Sequence, residues 1–217
     1  MKKNIILILT LVSALSSWAQ SGSEHRSRFG FGSTDQYYGV RLGLNIASLS
    51  SDDVNMDLNS RTGVNVGAVY GVQLAGNTPL WMETGLFYSE KGGQATVAAE
   101  KVKCRLSYLQ VPIVVKYSFD VYDDLYITPV LGGYLALGVG GKQKTYGTAA
   151  ANYADRHADS SFDTFKRFDG GLRIGCGAEY QMVYAEVGFD FGLANISTDD
   201  FSNTRNQCFF INLGVNF

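Results

Sequence analysis

The side chains best able to do chemistry in this chain of 217 residues are spaced for pairing rather than for catalysis. Arg41, Glu83, Lys116, Arg173, Glu179, Glu186 and Asp190 all sit in alternating stretches, on the glycine-containing face and not the apolar one. If that face is enclosed, its charges must be paired or hydrated. A tight turn centred between Gln181 and Met182 sets Arg173 directly opposite Asp190, so the spacing predicts that pair as an interior salt bridge. A row of ionisable groups could also pass a proton or an ion. An enclosure of eight strands is only wide enough for side chains to fill, which favours a charged plug.

Other constellations lack the partners their chemistry needs. Nucleophilic catalysis requires a nucleophile, a base and an orienting group in reach. The chain has only His25, in a polar leader, and His157, in a polar stretch with Asp155, Asp159 and Ser160, so no catalytic residue is assigned. Asp53, Asn55, Asp57 and Asn59 alternate like a calcium loop, but Leu58 stands where glycine is needed and Val64 where a bidentate glutamate should be. That stretch reads as a solvated acidic loop, and no metal is expected. Gly138-Val139-Gly140-Gly141-Lys142 lacks the spacing and following helix of a phosphate loop, so it reads as strand and loop, with no cofactor. Cys104, Cys176 and Cys208 have no metal-binding rhythm. Cys104 and Cys208 fall near the outer ends of inward faces on strands that lie across the enclosure, so a disulfide would need a loop to fold in.

The elements that position these residues follow from alternation. Lys2 and Lys3, an apolar run from Ile5 to Leu15 and the small-x-small pattern Ser17-Trp18-Ala19 read as a signal peptide, residues 1–19. Residues 20–36 form a polar leader without periodicity. From residue 37 to 217 the chain reads as eight strands, near 37–47, 62–74, 79–91, 108–117, 125–141, 165–180, 183–196 and 206–217. The connections between them alternate in length. Long ones are expected at 48–61, 92–101, 142–161 and 197–205, and short ones at 76–78, 118–124 and 181–182. Pro112 and Pro129, which cannot donate to a ladder, predict bulges in the fourth and fifth strands.

Alternating connection lengths describe an eight-stranded antiparallel up-and-down barrel with two unlike ends. Each strand reaches the ~9–11 residues needed to cross a bilayer when tilted. The last strand shows the pattern most clearly. Gln207, Phe209, Ile211, Leu213, Val215 and Phe217 share one face, and Asn206, Cys208, Phe210, Asn212, Gly214 and Asn216 share the other. A soluble barrel would present Thr, Lys and Glu to water, but here the second face is glycine interspersed with single long polar side chains. Such a face suits a narrow interior, with the apolar face toward lipid. Tyr38, Tyr88, Tyr117 and Tyr180, near strand ends, fit the bilayer interfaces. Removing Lys2 and Lys3 takes the formal charge from −2 to −4, so nucleic acid is not an expected partner.

The segments Glu83–Gly92, Tyr108-Leu109-Gln110-Val111-Pro112, Gly188–Asn195 and the terminal Asn-Leu-Gly-Val-Asn-Phe together resemble the PorT-like outer-membrane β-barrel family of Bacteroidetes. The resemblance implies a non-enzymatic envelope protein, structural or part of a secretion assembly, and supplies no catalytic residues. The barrel reading places long loops outside the cell and both termini in the periplasm, amid outer-membrane lipid and lipopolysaccharide. Phe217 resembles the terminal aromatic by which barrel-insertion machinery recognises its clients. Two other readings remain at this stage, a narrow transporter of small or apolar solutes and a lipid-modifying enzyme.

Overall fold

Residues 36–51, 57–74, 78–97, 100–147, 156–159, 166–196 and 204–217 are described by a computed structural model. They form β1 (Gln36–Ser51), β2 (Asp57–Gln73), β3 (Leu80–Val97), β4 (Glu100–Tyr117), β5 (Phe119–Tyr122), β6 (Leu125–Gly147), β7 (Arg156–Asp159), β8 (Phe168–Tyr180), β9 (Val183–Gly192) and β10 (Thr204–Asn216). The wall runs β4-β3-β2-β1-β10-β9-β8-β6 and closes through β4 on β6, with every pair antiparallel. This is the expected closed eight-stranded up-and-down barrel. The signal peptide and the leader as far as Asp35, with His25, lie outside the described residues, as do Asp53, Asn55, Asp155 and Ser160, while Gln36, expected to end the leader, opens β1.

Closure makes alternation decisive. Leu42, Leu44, Leu109, Ile113, Leu131, Leu172 and Leu213 are exposed on the outer surface, while Arg41, Asn45, Gln110, Lys116 and Asn212 are buried in the bore. The last strand follows its predicted faces except at Val215, which is 6% exposed where it pairs with Val40 on β1 and Val183 on β9. The terminus is tied in by its backbone. Tyr38 and Phe217 exchange both N–H···O bonds, at 2.9 and 2.8 Å, and Asn216 N–H donates to Met182 O at 2.8 Å.

Interior glycines accommodate large neighbours. A Cβ at Gly71 would collide with the Tyr37 ring, one at Gly177 with Tyr184, one at Gly67 with Phe87, and one at Gly188 with Phe210. Bulky side chains therefore lie flat on bare backbone, which is how so narrow a bore holds them.

The structure corrects several predicted connections. Residues 92–97 and 100–101 are strand rather than loop, because β3 and β4 stay paired out to Val97↔Glu100. Likewise β1 continues to Ser51, β2 already begins at Asp57, and β6 runs to Gly147 with β7 paired back on it. Asp57 and Asn59 thus belong to a ladder, opposite Thr96 and Gln94, rather than to an acidic loop. His157 and Asp159 lie in β7. The predicted turn at 118–124 contains β5, a short strand against the start of β6. Backbone pairing needs no apolar side chains, so polar strands extend past the apolar band.

The predicted proline bulges are absent. The β3–β4 pairing lapses beside Pro112, yet its register is unchanged from Phe87↔Gln110 to Thr84↔Ile113, and the Thr84 hydroxyl donates to Pro112 O at 2.9 Å. Pro129 lies one residue past the last β4–β6 pair, Lys116↔Val130, and on the other side stays in unbroken register opposite Cys176 of β8. The bulge falls instead in the glycine-rich segment, where Ser107 faces Gly140 but Tyr108 faces Gly138. A second register shift lies between Ser60 and Asn65, near Gly92, whose φ is 120°.

Candidate functional site

The candidate site is the barrel interior, which holds two charged layers. One lies toward the short turns. Glu83 on β3 receives Lys116 Nζ at 2.7 Å, Arg41 Nη2 at 3.5 Å and the Tyr37 hydroxyl at 2.6 Å. Tyr184 on β9 lies between the two cations, with Arg41 4.2 Å and Lys116 4.4 Å from its ring centroid, and its hydroxyl accepts from Lys116 at 3.0 Å. One carboxylate thus serves two buried cations, and an aromatic face supplies the remaining negative potential. Arg41 also donates to Val215 O at 3.2 Å, linking the layer to the closing strand.

The second layer lies toward the long connections. Arg173 and Asp190 are cross-strand partners, and Arg173 Nε and Nη2 donate to the carboxylate at 2.7 and 3.0 Å. Asp190 also accepts from Gln110 at 2.8 Å and Lys91 at 3.3 Å. Lys91 lies 4.0 Å from Asp169, which accepts from Asn206 at 2.9 Å, and 4.0 Å from the Tyr134 ring centroid. The Arg173 guanidinium stacks 4.3 Å from the Phe210 ring centroid. Two cations face two carboxylates here, within a frame of amides and rings. Between the layers, Asn45 joins Asn65 at 2.7 Å and Ser89 at 2.9 Å.

The structure therefore brings Arg41, Glu83 and Lys116 into one cluster and Arg173 and Asp190 into another. Glu186 is buried between them on β9, opposite Asn212, and Glu179 accepts from Asn216 at 2.8 Å near the turn end. The candidate residues overlooked Lys91, Asp169, Gln110 and Tyr184. Lys91 shares the parity of Glu83 and Asp169 that of Arg173, so alternation carried the signal. Cys208 is a buried free thiol and Cys176 an exposed one. Near the turn end, Tyr37, Trp81, Lys116, Thr128, Glu179 and Tyr184 border a cavity of about 20 Å³, room for one water. Across the bore, cations and carboxylates can hold opposite walls together, and no further space is needed for that.

Residues 18–198 match the model of a family described as outer membrane protein beta-barrel domain. Among solved structures, Neisserial surface protein A aligns at 16% identity and TM-score 0.47, covering 83% of this chain and 97% of that one. OprG from Pseudomonas aeruginosa aligns at 10% identity and TM-score 0.47, covering 86% and 98%. Ail, the attachment invasion locus protein of Yersinia pestis, aligns at 14% identity and TM-score 0.41, covering 83% and 98%. A search of curated proteins finds no match.

Proposed function

The chain belongs to the outer membrane protein beta-barrel domain family, and from that premise we propose that it is a closed, non-enzymatic barrel serving as a membrane-embedded structural or assembly partner in the envelope. A role in a PorT-like secretion assembly is the specific form of this reading. The observation that carries it is the filled interior. Glu83 with Lys116 and Asp190 with Arg173 tie neighbouring strands at two heights, Lys91 with Asp190 ties β3 to β9 across the bore, and the cavity at the turn end admits about one water. In this reading the long hairpins face outside, both termini face the periplasm, and Phe217 is the assembly signal.

The test is reconstitution of the purified barrel into liposomes with sugars and amino acids of graded size. Swelling at the rate of protein-free vesicles is expected, while size-dependent swelling would establish a transporter instead. Removal of Phe217 is expected to lower the heat-modifiable membrane fraction in cells more than it lowers the melting point of protein that has inserted. Equal insertion would refute the signal.

A further inference from the structure

The bore is finished differently at its two ends. Beyond the second charged layer, toward the long connections, the inward residues turn apolar. Leu106 and Tyr108 of β4, Tyr134 and Ala136 of β6 and Ile196 pack into one cluster, and each is at most 3% exposed. On the face that carries Asp169, Arg167 is already exposed two residues earlier, so among the described residues this cluster is the last enclosed layer at that end. Its inner side rests on the charges. The Tyr134 ring centroid lies 4.0 Å from Lys91 Nζ, and the Tyr108 hydroxyl accepts at 3.3 Å from Asn206, which also donates to Asp169. At the turn end, by contrast, Lys116 and Tyr184 of the first layer border the cavity that admits one water.

An apolar layer of this kind excludes water for want of partners, since a buried water makes about 2–4 hydrogen bonds. The only polar side-chain atoms of the cluster are two hydroxyls. That of Tyr108 is engaged by Asn206, which leaves the Tyr134 hydroxyl as a single open partner. Four members of the cluster sit on the paired strands β4 and β6. Ile196 does not. β9 ends at Gly192, and the N–H groups of Leu193 and Ala194 then both donate to Gly170 O, at 2.9 and 3.0 Å, which takes the chain out of the regular ladder. Ile196 itself is held by one backbone bond on each side, donating to Thr204 O at 2.9 Å and accepting from Lys166 N–H at 2.6 Å, while Asn195 Oδ1 accepts from Thr204 N–H at 3.1 Å. It is therefore the member that can withdraw without breaking the wall. We propose that Ile196 is the stopper of the bore, completing an apolar septum that seals the second charged layer against water from the long-connection end and that opens when Ile196 leaves. The inference rests on the closed-bore reading, to which it adds the end that is sealed and the residue that opens it.

Cys208 is the reporter, a free thiol buried in the bore two residues along β10 from Asn206. In the full barrel carrying Cys104→Ser and Cys176→Ser it is the only thiol, and the rate at which a small charged methanethiosulfonate modifies it in detergent reads access to the second layer. This parent barrel should react slowly until it is denatured. Ile196→Ser should raise the rate about tenfold or more, because loss of a buried isoleucine favours local opening. Ile196→Leu, which keeps the apolar bulk, should stay slow. Glu83→Gln weakens the opposite layer but leaves the septum, so it should stay slow too. Heat-modifiable migration first shows that each variant is folded, and Ile196→Ala, with the same expected acceleration, replaces the serine variant should that one fail to fold. Rapid labelling of the parent barrel would overturn the proposal, as would an unchanged rate in the serine or alanine variant. So would an acceleration by Ile196→Leu equal to that by serine, or an equal acceleration by Glu83→Gln, which would make labelling a measure of global unfolding. Liposome swelling by the wild type would refute the closed bore, whereas a barrel that excludes sugars while Cys208 ignores Ile196→Ser loses only the septum.

Discussion

The two charged layers solve one problem with different reserves. Toward the turns, Arg41 and Lys116 share the single carboxylate of Glu83, and the Tyr184 ring makes up the difference. Toward the long hairpins, Lys91 meets both Asp190 and Asp169 and Arg173 meets Asp190, with Gln110 and Asn206 as further donors. The first layer hangs on one group, whereas the second spreads its compensation. Removing one partner from a buried pair leaves an uncompensated charge, and the size of the loss depends on what remains nearby.

The largest effect should therefore come from Glu83→Gln. Two buried cations would lose their only carboxylate within salt-bridge distance among the described residues, and the destabilisation should reach about 3–5 kcal/mol. Denaturant unfolding in detergent, with heat-modifiable migration as the second probe, measures it. A loss no greater than that of a surface substitution would show that the layer does not depend on this hub.

Asp190→Asn should cost less, about 1.5–3 kcal/mol, although Asp190 receives more hydrogen bonds than Glu83. Lys91 keeps Asp169 at 4.0 Å, the amide oxygen can still accept from Arg173, and Arg173 keeps its Phe210 face. Adding Asp169→Asn should produce a loss well beyond the sum of the two single effects, because only then is Lys91 stranded. If Asp190→Asn equals or exceeds Glu83→Gln, the contrast between shared and spread compensation fails. If Asp190→Asn leaves heat resistance unchanged and Arg173 becomes open to chemical labelling, the pair has no structural role.

Parts of this arrangement were legible in the sequence for identifiable reasons. The barrel, its strand order and the inward face follow from period-two alternation, and Arg173 opposite Asp190 follows from a two-residue turn that leaves register no freedom. The contacts of Lys91 with Asp190, and of Lys116 with Glu83 and Tyr184, depend on more than hairpin register. β3 and β9 are not neighbours in the wall, so Lys91 reaches Asp190 across the bore, at a depth that only closure, tilt and side-chain length determine. The extended hairpin at 92–101 was hidden differently. Its alternation continues in Gln94 and Thr96 against Ala95 and Val97, but a polar, charged stretch looks like a loop when alternation is sought in apolar residues. The proline bulges failed because a ladder can skip one bond without shifting register when a side chain such as Thr84 takes the orphaned carbonyl.

The smallest effect separates the two halves of what Tyr184 contributes. Its hydroxyl accepts from Lys116 at 3.0 Å, while its ring lies about equally far from Arg41 and Lys116. Tyr184→Phe removes the hydroxyl and keeps the ring, and since Lys116 retains Glu83 at 2.7 Å the cost should be about 0.5–1.5 kcal/mol. Tyr184→Leu removes the ring as well and leaves space over Gly177, so it should cost clearly more than the phenylalanine variant. The same pair of substitutions on a Glu83→Gln background decides what the ring does. If the face supplies negative potential, the gap between Phe and Leu should widen when the carboxylate is gone, because both cations then depend on it. An unchanged gap would make Tyr184 a packing residue, and the first layer would then have no reserve behind its single carboxylate.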